Sequence, residues 1–225
     1  FSETSGQRRV LGMVQTNPAS PSLVLTDTNP SNRALNGIAI STAGDFGNFM
    51  YVGLGAPGTG TEVLKVSTQG ALQSSFTIPG SGAGDLAFPP LGSFASGLYI
   101  TEPGAGRVIR VNAFGVNLDA SGAFATGLGS PGYMAFGPPA TELANFLFVA
   151  DAAGGVVKAI STSGVVRDYA TLEPGITGLA FSPETADLGP LTNLYVANGT
   201  TGKLQRVTVN PGSCPAACAG TSSLF

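Results

Sequence analysis

Along most of the chain, apolar residues come in short runs divided by clusters of Gly, Asn, Asp, Ser and Pro. β-Branched and aromatic residues dominate the runs. No segment holds a 3.6-residue period over three turns. This is the pattern of consecutive antiparallel strands joined by tight turns. One stretch, "SPETADLGP" from Ser182, suggests a helical turn, which Pro183 and Gly189 keep short.

The strands recur. "NGIAIST" from Asn36, "DLAFPPL" from Asp85, "YMAFGPP" from Tyr133 and "TGLAFSP" from Thr177 align at Ile38, Leu86, Met134 and Leu179, spaced by 48, 48 and 45 residues. A second strand follows each: "NFMYVG" from Asn48, "GLYITE" from Gly97, "NFLFVAD" from Asn145 and "NLYVAN" from Asn193. A third follows a Gly-rich turn: "TEVLKVS" from Thr61, "GRVIRVN" from Gly106, "GVVKAIS" from Gly155 and "GKLQRVTV" from Gly202. A fourth is expected in the first three units, at "GALQSSFTI", "GVNLDASGAFA" and "GVVRDYA" from Gly70, Gly115 and Gly164.

Four strands in a unit of this length is the arithmetic of a β-propeller blade. One such sheet cannot cover both of its faces, and stacking blades around an axis covers each with its neighbour. The small residues Ala39, Ala87, Ala135 and Ala180 on the first strands suit the crowded centre. A two-sheet sandwich is the alternative, but it predicts no fourfold repeat. The fold class is therefore all-β, a propeller of four-stranded antiparallel blades. The units are 35–83, 84–128, 129–174 and 175–209, with a half blade over 1–34 and a Cys-containing tail over 210–225.

In that half blade, "GQRRVLGMV" from Gly6 reads as a third strand and "SLVLTD" from Ser22 as a fourth. The chain thus begins in mid-blade. Three continuations follow: a compact five-bladed ring with one degenerate blade, part of a larger six-bladed protein, or completion by a neighbouring copy through the open sheet edge.

Composition narrows the chemistry. Only 10% of the 225 residues are charged, the net charge is −3, and small polar residues carry the surface. This palette suits an extracellular or cell-surface protein. It lacks the basic footprint of a nucleic-acid binder. There is no histidine, so Ser-His-Asp and Cys-His chemistry and His-containing zinc sites are excluded. Cys214 and Cys218 read as a local disulfide, or else as two free thiols; a redox site lacks a basic neighbour. No apolar run reaches the length of a membrane helix. A targeting segment has been removed, or the chain is part of a longer one, since it starts at Phe1 rather than Met.

The runs "GIAIS…NFMYVG…TEVLKVSTQGAL", with Phe148-Val149-Ala150-Asp151 and Arg107-Val108-Ile109-Arg110-Val111, resemble NHL-type and related six-bladed propeller repeats over about residues 36–208. That resemblance implies fold more than function, because such propellers host enzymes, binders and scaffolds. It places Asn36, Asp85, Tyr133 and Thr177, just before the first strands, at a mouth of the central channel. In the paraoxonase and gluconolactonase-like relatives, Asn, Asp and Glu at this mouth hold a calcium that polarises a lactone or phosphoester. Asn36 and Asp85 match that pattern and are the candidate metal ligands here; Tyr133 and Thr177 depart from it. Two side-chain oxygens fall short of calcium's usual set. A structural role in turns or between blades is the plainer reading.

Lys65, Arg110, Lys158 and Arg206 recur at intervals of 45, 48 and 48 on the third strands. They form either a positive ring for an acidic glycan or carboxylate, or local pairs with acids such as Glu62 and Asp168. Asp151 and Glu102 close second strands, as turn caps or, in a hydrolase, as a carboxylate pair. Asn198-Gly199-Thr200 is a glycosylation sequon in an expected surface turn.

The sequence thus reads as a non-catalytic secreted or surface propeller that serves as a structural or interaction module, with no cofactor and no catalytic residue. Its partners are proteins or further copies of itself, and self-assembly could run through the incomplete blade. The alternatives are a calcium-dependent lactonase or esterase at the Asn36/Asp85 mouth, and a carbohydrate-binding module.

Overall fold

The computed structural model describes residues 2–4, 7–14, 17–27, 34–42, 44–55, 60–67, 69–182, 189–209 and 220–224, with backbone alone for 2–27, 34, 42, 209 and 220–224. The stretch 183–188, where a helical turn was expected, and both cysteines lie outside the described residues.

The described chain folds into five antiparallel sheets, each built from consecutive strands. The first holds β1 (Ser2–Thr4), β2 (Gln7–Val14) and β3 (Asn17–Asp27), so the expected half blade carries one more short strand. The next holds β4 (Ala34–Thr42), β5 (Asn48–Gly55), β6 (Thr61–Ser67) and β7 (Leu72–Ile78). The third holds β8 (Leu86–Ala87), β9 (Leu98–Glu102) and β10 (Arg107–Val111). The fourth holds β11 (Pro131–Phe136), β12 (Phe146–Asp151), β13 (Val156–Ser161) and β14 (Val166–Thr171). The fifth holds β15 (Ile176–Phe181), β16 (Leu194–Asn198), β17 (Lys203–Val209) and β18 (Gly220–Leu224).

Two strands differ from expectation. The fourth strand expected from Gly115 in the second unit is broken into single bridges, Val111 with Asn117 and Val108 with Ala125. A turn closed by the Gly122 N–H on the Asp119 carbonyl divides it, and the Asn117 amide binds the Gly122 carbonyl. Turn-forming side chains here outcompete the ladder. In the last unit, β18 pairs along β17 from Gln205–Leu224 to Val209–Gly220, within the stretch read as a tail. Its residues, Gly-Thr-Ser-Ser-Leu, carry almost no apolar signal.

The core lies between sheets. Tyr51 and Val63 meet Leu98, Ile100 and Ile109 between the first two complete units. Tyr99 and Val108 meet Leu147, Val149 and Ile160 between the next pair, and Phe148 and Val157 meet Leu194, Val196 and Val207 between the last. Neighbouring residues on one strand serve opposite faces: Tyr51 joins the first of these clusters, while Val52 and Leu54 belong to another on the far face of the same sheet. Burial on both faces explains why the second strands are continuous apolar runs rather than alternating ones.

Inner strands carry an aromatic where they end. Phe88 meets Phe46 and Tyr51 edge-on, Phe136 meets Phe94 and Tyr99, and Phe181 meets Phe148. The Tyr51 hydroxyl donates to the Phe46 carbonyl at 2.9 Å, and burial pushes its pKa up to about 12. Prolines 89–90 and 138–139 follow Phe88 and Gly137; lacking N–H groups, they end the inner strands.

Candidate functional site

The inner strands have two ends. At their starts stand Asn36, Asp85, Tyr133 and Thr177, and most of their polar atoms are engaged with backbone. The Asn36 amide donates to the Ala83 carbonyl at 2.7 Å. Asp85 links two blades: Oδ1 accepts from its neighbour Leu86 N–H and Oδ2 from Met134 N–H on the next inner strand, both at 2.9 Å. Its own N–H donates to Thr101 Oγ1, which in turn donates to the Gly132 carbonyl. Burial pushes the Asp85 carboxyl up to about 6, against the downward pull of its two N–H donors. A calcium here would compete with both donors for the same oxygens, so Asn36 and Asp85 as placed make a poor ligand pair. Among the described residues no three acid, histidine or cysteine side chains cluster as a metal site. Tyr133 and Thr177 are exposed, and Thr177 Oγ1 reaches only the Ala197 carbonyl of its own sheet, at 3.5 Å.

Glu102, Asp151 and Asn198 occupy equivalent positions closing β9, β12 and β16; Glu102 and Asn198 reach the preceding unit, and Asp151 reaches the linker that enters its own sheet. Glu102 is fully buried; Thr61 Oγ1 of β6 donates to its Oε1, and Arg107 pairs with its Oε2. Asp151 accepts from the N–H groups of Gly129, Ser130 and Gly154. Asn198 donates to the carbonyls of Glu173 and Pro174 and accepts from the N–H groups of Thr200 and Thr201. The residue type follows the linker. Gly129-Ser130 offers N–H groups to a carboxylate, whereas Glu173-Pro174 offers carbonyls and needs an amide donor. A glycine of each linker presses on the same side chain: a Cβ at Gly80 would fall on Glu102 Oε1, one at Gly129 would sit 2.5 Å from Asp151 Oδ2, and one at Gly175 would sit 3.1 Å from Asn198 Oδ1. The glycine-to-polar intervals are 22, 22 and 23 residues, a repeat legible in the sequence but missed there.

These contacts bear on two expectations. Glu102 is a blade-to-blade staple, and Asp151 is the turn cap of the first reading, binding Gly154 N–H and the linker into its own sheet. Asn198 is 2% exposed with its amide nitrogen engaged twice, so a glycan on it is incompatible with this packing.

The basic positions do not form a ring. Lys65, Arg110 and Arg206 stand opposite Tyr51, Tyr99 and Tyr195, but Lys158 stands opposite Val149, and Ala159 takes the place opposite Phe148. One residue of offset turns Lys158 to the other face of its sheet. Each cation of the first three has a local partner: Lys65 lies 4.2 Å from the centre of the Phe49 ring, Arg110 pairs with Asp119, and Lys158 with Asp168. Lys158→Ala is expected to change the unfolding free energy by less than about 1 kcal/mol in a urea titration, since the side chain of Asp168 is 68% exposed.

The opposite end of the inner strands holds what the sequence reading overlooked, a cavity of about 760 Å³. It is walled by the ends of all four inner strands (Ile40, Phe88, Phe136 and Phe181) and by the prolines that follow, with Leu91 on its rim. Among the described residues, Asp45 is the one charged residue that lines it. The hairpins joining third and fourth strands emerge at this same end, because Thr42 pairs with Asn48, Phe49 with Ser67, and Val66 with Leu72 across one sheet. Most large apolar side chains exposed among the described residues gather here: Ile40 and Leu91 beside the cavity, and Leu72, Phe114, Val116, Leu118 and Val165 on or just after the hairpins. Tyr133 and Leu204 are the exceptions.

Successive antiparallel sheets packed face to face, with short first strands converging on a cavity, define a β-propeller-like protein. Solved structures agree on that class. A periplasmic gluconolactonase from Pseudomonas aeruginosa superposes with a TM-score of 0.67 at 17% identity, over 99% of this chain and 65% of that one. Virginiamycin B lyase from Staphylococcus aureus gives 0.56 at 15%, over 85% and 55%. A protein of unknown function from Desulfotomaculum acetoxidans gives 0.58 at 19%, over 98% and 62%. The chain spans less than two thirds of the length of each. No family model, of NHL type or any other, matches the chain, and no curated protein sequence matches it.

Proposed function

We propose that this chain is a non-catalytic interaction module of an extracellular or surface protein, whose contact surface is the end bearing the cavity. The observation that carries this reading is the gathering of exposed Ile40, Leu72, Leu91, Phe114, Val116 and Val165 around a hollow walled by phenylalanine and proline. Exposed apolar side chains gathered on one end mark contact sites, and an apolar concavity marks a binding site. At the opposite end Asp85, Glu102 and Asn198 are instead engaged in holding blades together. The chain has no tryptophan, so Leu91→Trp gives a reporter without background. An environment-sensitive apolar dye should bind the native chain saturably and quench or shift that reporter. Absence of saturable binding would overturn the reading.

A second reading has support of its own. The fold is shared with a gluconolactonase and a lyase, and Asp85 is a half-buried carboxyl with a raised pKa at the strand starts. Calcium-dependent hydrolysis of a lactone, lost in Asp85→Asn, would replace the binding module by a hydrolase.

A further inference from the structure

We infer that the cavity takes a small organic cation with an apolar body, an arylalkyl ammonium being the simplest of the class; this rests on the interaction-module reading above. Charge is the first argument. The loops joining inner to second strands (42–48, 88–97, 137–145 and 182–193) and the hairpin tips 67–71, 112–116 and 161–165 contain Asp45, Glu142, Glu184 and Asp187 and no Lys or Arg. Asp45 lines the cavity and is exposed. Elsewhere carboxylates are matched, Asp119 with Arg110, Asp168 with Lys158 and Glu173 with Lys203. Among the described residues nothing donates a hydrogen bond to the Asp45 carboxylate or forms an ion pair with it. A hollow with carboxylates around it and low-dielectric walls concentrates cations and repels anions.

The wall is the second argument. Phe46, Phe88, Phe94, Phe136 and Phe181 line the cavity. Aromatic rings attract an ammonium group through their quadrupole and also accept an apolar body. The chain already uses that chemistry in the first complete sheet, where the Lys65 ammonium lies 4.2 Å from the centre of the Phe49 ring. The volume, about 760 Å³, lies in the range of pockets that hold small molecules. A neutral apolar ligand would cover Asp45 without giving it a partner, and an anion would face like charge. A cation on an apolar body uses both the rings and the carboxylate.

Titration of the 225-residue chain with naphthylethylammonium, followed by the probe's fluorescence against a protein without tryptophan, tests this. Two probes of the same body, naphthylethanol and naphthylacetate, run beside it. Saturable binding of the ammonium is expected, about tenfold tighter than the alcohol, with the acetate weakest. Asp45→Asn should weaken the ammonium about threefold and leave the alcohol unchanged, which also shows that the hollow is intact. Equal binding of ammonium and alcohol, or an ammonium indifferent to Asp45→Asn, overturns the inference. Tetralysine, a cation without the apolar body, should not displace the ammonium; displacement would overturn the inference and assign the face to a basic segment of a protein partner. Failure of all three probes while the apolar dye binds overturns the inference and leaves the interaction module standing, whereas loss of dye binding as well removes both.

Discussion

Glu102→Ala is expected to lower the stability of this chain by about 2–4 kcal/mol, the range for removing one partner of a buried pair, moderated because Arg107 can still reach water. In a protein of this size that is roughly 5–15 °C in the unfolding midpoint. Glu102 is fully buried where two blades meet. Its loss strands Thr61 Oγ1 of the first complete unit and Arg107 of the second at once. Glu102→Gln should recover part of the loss, because an amide oxygen still accepts from Thr61 but no longer balances the guanidinium charge. Gly80→Ala approaches the same point from the other side, since its new methyl group would displace the Glu102 carboxylate. Combined with Glu102→Ala, which vacates that space, it should cost less than it does alone. Additive losses, or a midpoint change under about 2 °C for Glu102→Ala, would show that the staple holds nothing.

The second strands were legible because their residues face a sheet on both sides, and the inner strands because their short motif recurs four times. The outer strands were harder. β7 is exposed along most of its length, and β18 is nearly devoid of apolar residues, so neither needs a strong pattern. The site was less legible than the fold. Counting 48 residues from Arg110 led to Lys158, but Tyr99 and Phe148 are 49 apart, and a slip of one reverses a strand's faces. The candidate residues stand at the strand starts, the end opposite the cavity. The repeated "FPP" and "FGPP" after the inner strands, and Phe181-Ser182 after the last, wall the cavity. What sequence could not supply was the convergence of loops from four units on one end, a property of sheet register.

Asp85 makes stability depend on acidity in a direction opposite to most carboxylates. Its folded pKa of about 6 lies above that of an ordinary aspartate because burial penalises the charged form more than the Leu86 and Met134 N–H donors favour it. Between the unfolded and folded values the native state therefore holds the proton that the unfolded chain has released. The stability this group contributes is fully present below about pH 4 and is lost as pH rises through 6. Raising this carboxyl from the ordinary aspartate range to about 6 corresponds to roughly 3 kcal/mol. Asp85→Asn cannot titrate, and comparing it with the parent cancels every other ionisation. The parent's stability relative to Asp85→Asn is expected to fall by up to about 3 kcal/mol between pH 4 and pH 7, read as chemical-denaturation free energies at each pH. The substitution should also cost about 1–3 kcal/mol at acid pH, because the amide can accept from only one of the two N–H groups and points a donor at the other. A pH-independent difference would mean that water reaches this carboxylate and that the junction of the second and third complete units is looser than its hydrogen bonds indicate. A slope of the expected sign would mean that the start of the inner strands is dry and held by a proton-sensitive clamp. In that case the soft, contact-making surface of the molecule is the other end.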